Sequence, residues 1–151
     1  MNSPDQPFWD SVETIRDADP RFSREAYGFL MGALGLTVQA LPAARREDAA
    51  RRHLSGQELL SGLIQLARSE FGSLAPMVFR EWGVRRGEDW GTIVFQLVAT
   101  GQLSARPEDR VEDFAGGPDL ETALTDGLDG GSFTPPAPDD RPRRGDSESD
   151  V

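Results

Sequence analysis

Ser55-Gly56-Gln57-Glu58 places a hydroxyl and a carboxylate three residues apart, immediately ahead of an apolar run. At a helix start each of these groups can satisfy a backbone amide of the other residue, an arrangement known as a capping box. The apolar run itself (Leu59, Leu60, Leu63, Ile64, Ala67, Phe71) recurs at offsets of three and four, which predicts a helix with one buried face. Gly72 stops that helix, and Pro76 falls early in the next segment, where a missing N–H costs least. Met77, Val78, Phe79 and Trp82 form a second apolar face, ended by Gly83. After the polar turn Arg85 to Asp89 comes a third, Ile93, Val94, Phe95, Leu97 and Val98, closed by Gly101. Three successive faces between Ser55 and Leu103 predict one dry interior with no catalytic cavity.

Upstream, Phe8, Trp9, Val12 and Ile15 also fall at helical spacing, and Asp19-Pro20 ends their helix. Ser23 caps a second helix that turns Ala26, Tyr27, Leu30, Met31, Leu34, Val38 and Leu41 inward. Gly28, Gly32 and Gly35 punctuate it at about 1 kcal/mol each relative to alanine, so they are expected to admit a neighbouring backbone at the centre of the packing. Pro42 to Leu54 is a polar connector, either a helical extension or a loop. Between Leu103 and Phe114, turn residues separate two short segments, which form either a hairpin or a one-turn helix from Pro107. A last short helix is expected around Leu120 and Leu124. The chain thus reads as all-α: a bundle of about five helices over residues 6–125, with room for a small C-terminal β-hairpin of winged-helix type. Residues 126–151 form an acidic, Pro/Gly-rich tail with too few large apolar groups to offset chain ordering, and are expected to be disordered.

Charge divides the chain at the same place. Residues 1–104 hold 13 acids and 11 arginines, whereas residues 105–151 hold 13 acids and 5 arginines. The helical part is nearly neutral and the excess negative charge lies near the C-terminus, a field that repels nucleic acid and anionic membrane alike. With no cysteine, thiolate metal sites, disulfides and cysteine nucleophiles are excluded. The first twenty residues carry Asp5, Asp10, Asp17 and Asp19 without an apolar core, unlike a secretory signal. No apolar segment reaches the ~20 residues that span a bilayer, so a cytoplasmic protein with no membrane association is expected.

No catalytic residue, metal site or cofactor site emerges. His53, the only histidine, has Glu47, Asp48 and Glu58 near it in sequence but no nucleophile or metal partner, and carries little weight as a general base. An enzyme built on it would need a deep polar pocket there. The order of helix, turn, helix and possible wing from Leu74 to Phe114 suits a winged helix-turn-helix. However, no arginine or lysine occurs between Glu88 and Gln102, where a DNA reader needs cations. Trp82, Arg85, Arg86 and Trp90 gather on one short segment the residue types that dominate interface hot spots, and are the candidate partner-binding residues. Three short tail motifs, Arg144-Gly145-Asp146-Ser147, Pro135-Pro136-Ala137-Pro138 and the terminal Ser149-Asp150-Val151, match ligand patterns no better than chance allows.

Several motifs stand in a familiar order: Asp19-Pro20-Arg21-Phe22 with Glu25-Ala26-Tyr27, Ser55-Gly56-Gln57-Glu58-Leu59-Leu60, Phe71-Gly72, Trp82-Gly83, Gly91-Thr92-Ile93-Val94-Phe95-Gln96-Leu97-Val98 and Glu112-Asp113-Phe114. Together they resemble the uncharacterised bacterial family of Minf-type proteins, from about Phe8 to Leu124 and without the tail. That family has no known function, so the resemblance implies no activity and no catalytic residue. The expectation is a non-enzymatic module that binds another protein, with a DNA-associated winged helix as the alternative.

Overall fold

The computed structural model describes residues 5–48, 51, 53–116 and 119–125. Among the described residues seven α-helices form: α1 (Gln6–Ala18), α2 (Arg24–Gln39), α3 (Ala43–Arg46), α4 (Gly56–Phe71), α5 (Ala75–Glu81), α6 (Gly87–Ala99) and α7 (Leu120–Thr125). Two 3-10 turns, Gly72–Leu74 and Val111–Phe114, join the set, and there is no strand among the described residues. The five expected helices are all present. The last short helix expected around Leu120 and Leu124 also forms, as α7, α3 gives the polar connector a short helical piece, and the 126–151 tail with its motifs lies outside the described residues.

The core is centred on α4, which touches α2, α5, α6, α7 and both 3-10 turns. Its buried face is Leu59, Leu60, Leu63 and Ala67, as the spacing predicts. Leu63 and Phe79 are almost completely enclosed, each such side chain stabilising the fold by about 1.5–3 kcal/mol. At the start of α4 the capping box is complete. The Ser55 hydroxyl accepts from the Glu58 amide at 3.0 Å, and the Glu58 carboxylate accepts from the Ser55 amide at 2.9 Å. Glu58 also receives both terminal nitrogens of Arg45, at 2.6 and 2.8 Å. Arg45 in turn donates to the carbonyls of Arg51 and His53, at 2.6 and 3.2 Å. A single guanidinium therefore organises the connector from α3 to α4, which charge pattern alone left undecided.

The glycines of α2 do not act as expected. Gly32 and Gly35 face open space, and Gly28 faces only the edge of the Trp9 ring. Ser23 occupies the cap position without a cap bond from its hydroxyl; instead its amide donates to the Trp82 carbonyl at 3.1 Å, tying α2 to the end of α5. The close approach occurs elsewhere, at the start of α6. A methyl group on Gly91 would sit 2.9 Å from both the Val111 carbonyl and the Phe114 ring, and one on Gly87 would strike the Phe114 carbonyl. Without side chains at these two positions, the Val111–Phe114 turn settles onto α6 with Phe114 buried.

Leu103 to Phe114 does not form the hairpin. The Asp109 carboxylate takes the Arg106 amide at 2.7 Å, and the Asp113 carboxylate takes the Arg110 amide at 2.9 Å. Each aspartate's own amide returns a bond to the same arginine's carbonyl, at 3.0 and 3.1 Å. Arg106-Pro107-Glu108-Asp109 and Arg110-Val111-Glu112-Asp113 are thus two successive closed turns. Their backbone groups are satisfied locally rather than across strands. No helix starts at Pro107 either; the one helical turn of this segment is the 3-10 turn Val111–Phe114.

Two glycine substitutions should move stability in opposite directions. Gly32→Ala should stabilise the protein by about 1 kcal/mol through helix propensity, whereas Gly91→Ala should destabilise it by about 1–3 kcal/mol through overpacking. Urea unfolding would read the two opposite signs, and equal signs would contradict the seat assigned to Phe114. Separately, the Arg45 guanidinium lowers the Glu58 pKa from 4.5 to about 2, against the opposing effect of partial burial and with help from the Ser55 amide. Glu58 thus contributes stability that is fully present above pH 4.5 and is lost as pH falls toward 2. Glu58→Gln should flatten the stability–pH curve in that window, and an unchanged slope would sink the assignment.

Candidate functional site

The Trp82–Trp90 segment comprises the turn between α5 and α6 together with the first turn of α6. Gly83 takes a positive φ of 89° and lies against the Arg21 carbonyl. The Asp89 carboxylate accepts the amides of Arg85 and Arg86 at 2.8 and 3.1 Å, holding the turn from within. Arg86-Gly87-Glu88-Asp89 is a third copy of the R-x-E-D pattern seen at 106–109 and 110–113, with the same carboxylate-to-amide closure. Both guanidiniums are exposed, and neither has a partner among the described residues. Most other described arginines act within the protein: Arg16 binds the Phe22 carbonyl, Arg24 covers the Trp9 ring, and Arg80 pairs with Glu121.

The two tryptophans are not surface groups. Trp90 is fully buried, which removes it from any partner surface. Its ring centre lies 5.2 Å from Phe79, while Trp82, half-buried, lies 5.2 Å from Phe29 and 5.8 Å from Phe71. These rings form one cluster joining α2, α4, α5 and α6. Burial of such large apolar surfaces, aided by edge-to-face contacts, explains why the tryptophans went to the core rather than the surface. Of the four residues that sequence composition marks as partner-binding, Arg85 and Arg86 are exposed, Trp82 is half-buried in the aromatic cluster, and Trp90 is enclosed and offers no surface to a partner.

Behind the turn lies a polar network that the sequence pattern does not announce. The Tyr27 hydroxyl donates to Gln96 Oε1 at 2.6 Å, Gln96 Nε2 donates to Asp19 at 3.1 Å, and Asp19 is gripped by Arg21 at 2.8 Å. Arg21 holds the Asp19 carboxyl below its usual range despite the opposing effect of burial. The network links the α1–α2 corner to α6. Only the pairing of Asp19 and Arg21, two residues apart, is readable locally.

His53 is about one-quarter exposed, and its Nε2 lies 2.7 Å from Asp109 Oδ2. Burial pushes the Asp109 carboxyl up, but the Arg106 amide and His53 together outweigh it and leave its pKa below normal. The pair ties the approach to α4 to the Leu103–Phe114 segment and lines a cavity whose walls are mainly apolar. The interior is therefore not wholly dry, and Val94, expected inward, is only half-buried because it faces this hollow. No group of three acids or histidines among the described residues is placed to hold a metal ion. No described helix is long and apolar enough to cross a membrane.

In α6, the would-be recognition helix, Trp90, Gly91, Ile93 and Leu97 face the core, and Ala99 alone is exposed rather than buried or half-buried. The chain matches no family model, no curated protein and no solved structure.

Tyr27 is the only tyrosine, so the tyrosinate absorbance of the whole protein reports this group alone. Burial, with the charge of Asp19 second, pushes its pKa up from 10 to about 12. A midpoint near 12 is expected in the folded protein, and the group's contribution to stability, present below pH 10, should fade as pH rises to that value. A midpoint near 10 while near-UV circular dichroism still shows native packing would refute the enclosed Tyr27–Gln96 contact.

Proposed function

We propose that this chain is a non-enzymatic, cytoplasmic protein-interaction module that engages a carboxylate-bearing protein surface through Arg85 and Arg86. Membership of the Minf-type family belongs to the same reading and adds no activity to it. The observation that carries the reading is the pair of exposed guanidiniums, without a partner among the described residues, on a turn held by the Asp89 carboxylate and close to an aromatic cluster. A rigid turn loses little conformational entropy on binding, and two adjacent planar forks match carboxylates with both charge and direction. The DNA-associated alternative has less support, since Leu103 to Phe114 forms no hairpin wing and no arginine or lysine occurs between Glu88 and Gln102; retention on duplex DNA that falls steeply with salt would revive it.

The test is affinity capture from the native cell, comparing wild type with Arg85→Ala/Arg86→Ala. Because Asp89 holds the backbone amides and not the side chains, the variant should keep its melting temperature. Its captured partner should fall by at least about tenfold, the scale of one charge-assisted hydrogen bond. An unchanged set of partners would remove the turn from consideration.

A further inference from the structure

Under the segment from Leu103 to Phe114 lies a cavity of about 170 Å³. Its apolar wall comprises Leu34 of α2, Leu59 of α4, Val94 and Phe95 of α6, and Leu103. Leu59 is buried, but the other four remain partly exposed. Keeping several large apolar groups in contact with water is unfavourable, and an apolar guest of matching size relieves it. Enclosed apolar cavities of ~150 Å³ take up a single benzene-sized molecule, which sets the scale here.

The rim decides the rest of the ligand's chemistry. His53 and the Asp109 carboxylate are engaged with each other, and Asp109 also takes the Arg106 amide. The Asp113 carboxylate takes the Arg110 amide. What remains uncommitted is the Ser104 hydroxyl and the Arg110 guanidinium, neither of which has a side-chain partner among the described residues. These offer donors to an acceptor atom. The two aspartates beside them would repel a full negative charge, since Asp109 stays ionised through the physiological range.

We propose that this cavity is a binding site for a small neutral molecule with an apolar ring or branched chain and one hydrogen-bonding end. The site uses neither Arg85 nor Arg86, so it stands or falls independently of the interaction reading.

Methyl NMR of the full-length protein, titrated separately with benzene, phenol and benzoate, tests it. Shift changes should concentrate on the methyls of Leu59, Val94 and Leu103. Phenol should bind roughly fivefold tighter than benzene, the net worth of one hydrogen bond. Benzoate should bind at least about tenfold weaker than phenol, because its charge faces the two aspartates. Ala105 lines the cavity from the segment side, so Ala105→Phe should fill it and abolish the phenol shifts. If that variant disturbs the segment, Val94→Leu fills the same space from α6. No shifts with any probe, shifts confined to another surface, or undiminished phenol binding in a folded filled variant would overturn the site. Equal affinity for phenol and benzene would overturn the polar end, and preference for benzoate would overturn the neutral charge.

Discussion

Covering one face of α4 is the constraint that shapes most of this architecture. Leu59, Leu60, Leu63 and Ala67 must leave water together, and no single neighbour is wide enough to cover them. α2 lies along one side, α5 and α7 along another, and α6 with the Val111–Phe114 turn closes the remainder. The same helix must also satisfy its first amides, and Glu58 does so while receiving Arg45. Core burial and the path of the incoming chain thus meet at one residue. A surface ion pair alone contributes little. This one matters through what it positions, since Arg45 also gathers the carbonyls of Arg51 and His53.

A second rule operates along the C-terminal half. In Arg86–Asp89, Arg106–Asp109 and Arg110–Asp113 the fourth-position carboxylate closes on the first-position amide. Once it opens α6, and at Arg110 it opens the 3-10 turn. At 106–109 it makes a turn with no helix behind it. The residues downstream decide the outcome. Ten of them, from Trp90 to Ala99, sustain a helix after Asp89, whereas after Asp113 the chain reaches Gly116 within three residues. Propagation, rather than initiation, separates the three copies.

Helix identity and the core face of α4 were legible because both rest on periodicity and capping, which are local. The seat of Phe114 was not. Gly87 and Gly91 look no different in sequence from Gly32 and Gly35, yet the first pair admits another backbone and the second faces open space. Only tertiary placement distinguishes them. The same limit explains the tryptophans, because hot-spot composition and core composition share aromatic residues. Trp90 joined a five-ring cluster centred on Phe29 of α2, with Phe71 of α4 also arriving from a distant part of the chain. The pairing of His53 with Asp109 spans 56 residues and left no local trace.

The hollow beside α6 can be traced to the same geometry. Phe114 is drawn down to the start of α6 by the space over Gly87 and Gly91, and Gln57 holds the chain there by donating to the carbonyls of Asp113 and Ala115, each at 2.9 Å. At its other end, the segment leaves α6 through Gly101 and is held near the C-terminal turn, with the Gln102 and Leu103 amides both on the Leu97 carbonyl. Fixed at both ends of one helix, it must arch over the helix between them. His53 reaches that arch through Asp109, while Ala105, with a single methyl, leaves the space beneath it unfilled. Two well-packed anchors with a small residue on the span between them produce an arch rather than a collapsed strap. The void near Val94 is therefore a consequence of good packing on either side of it.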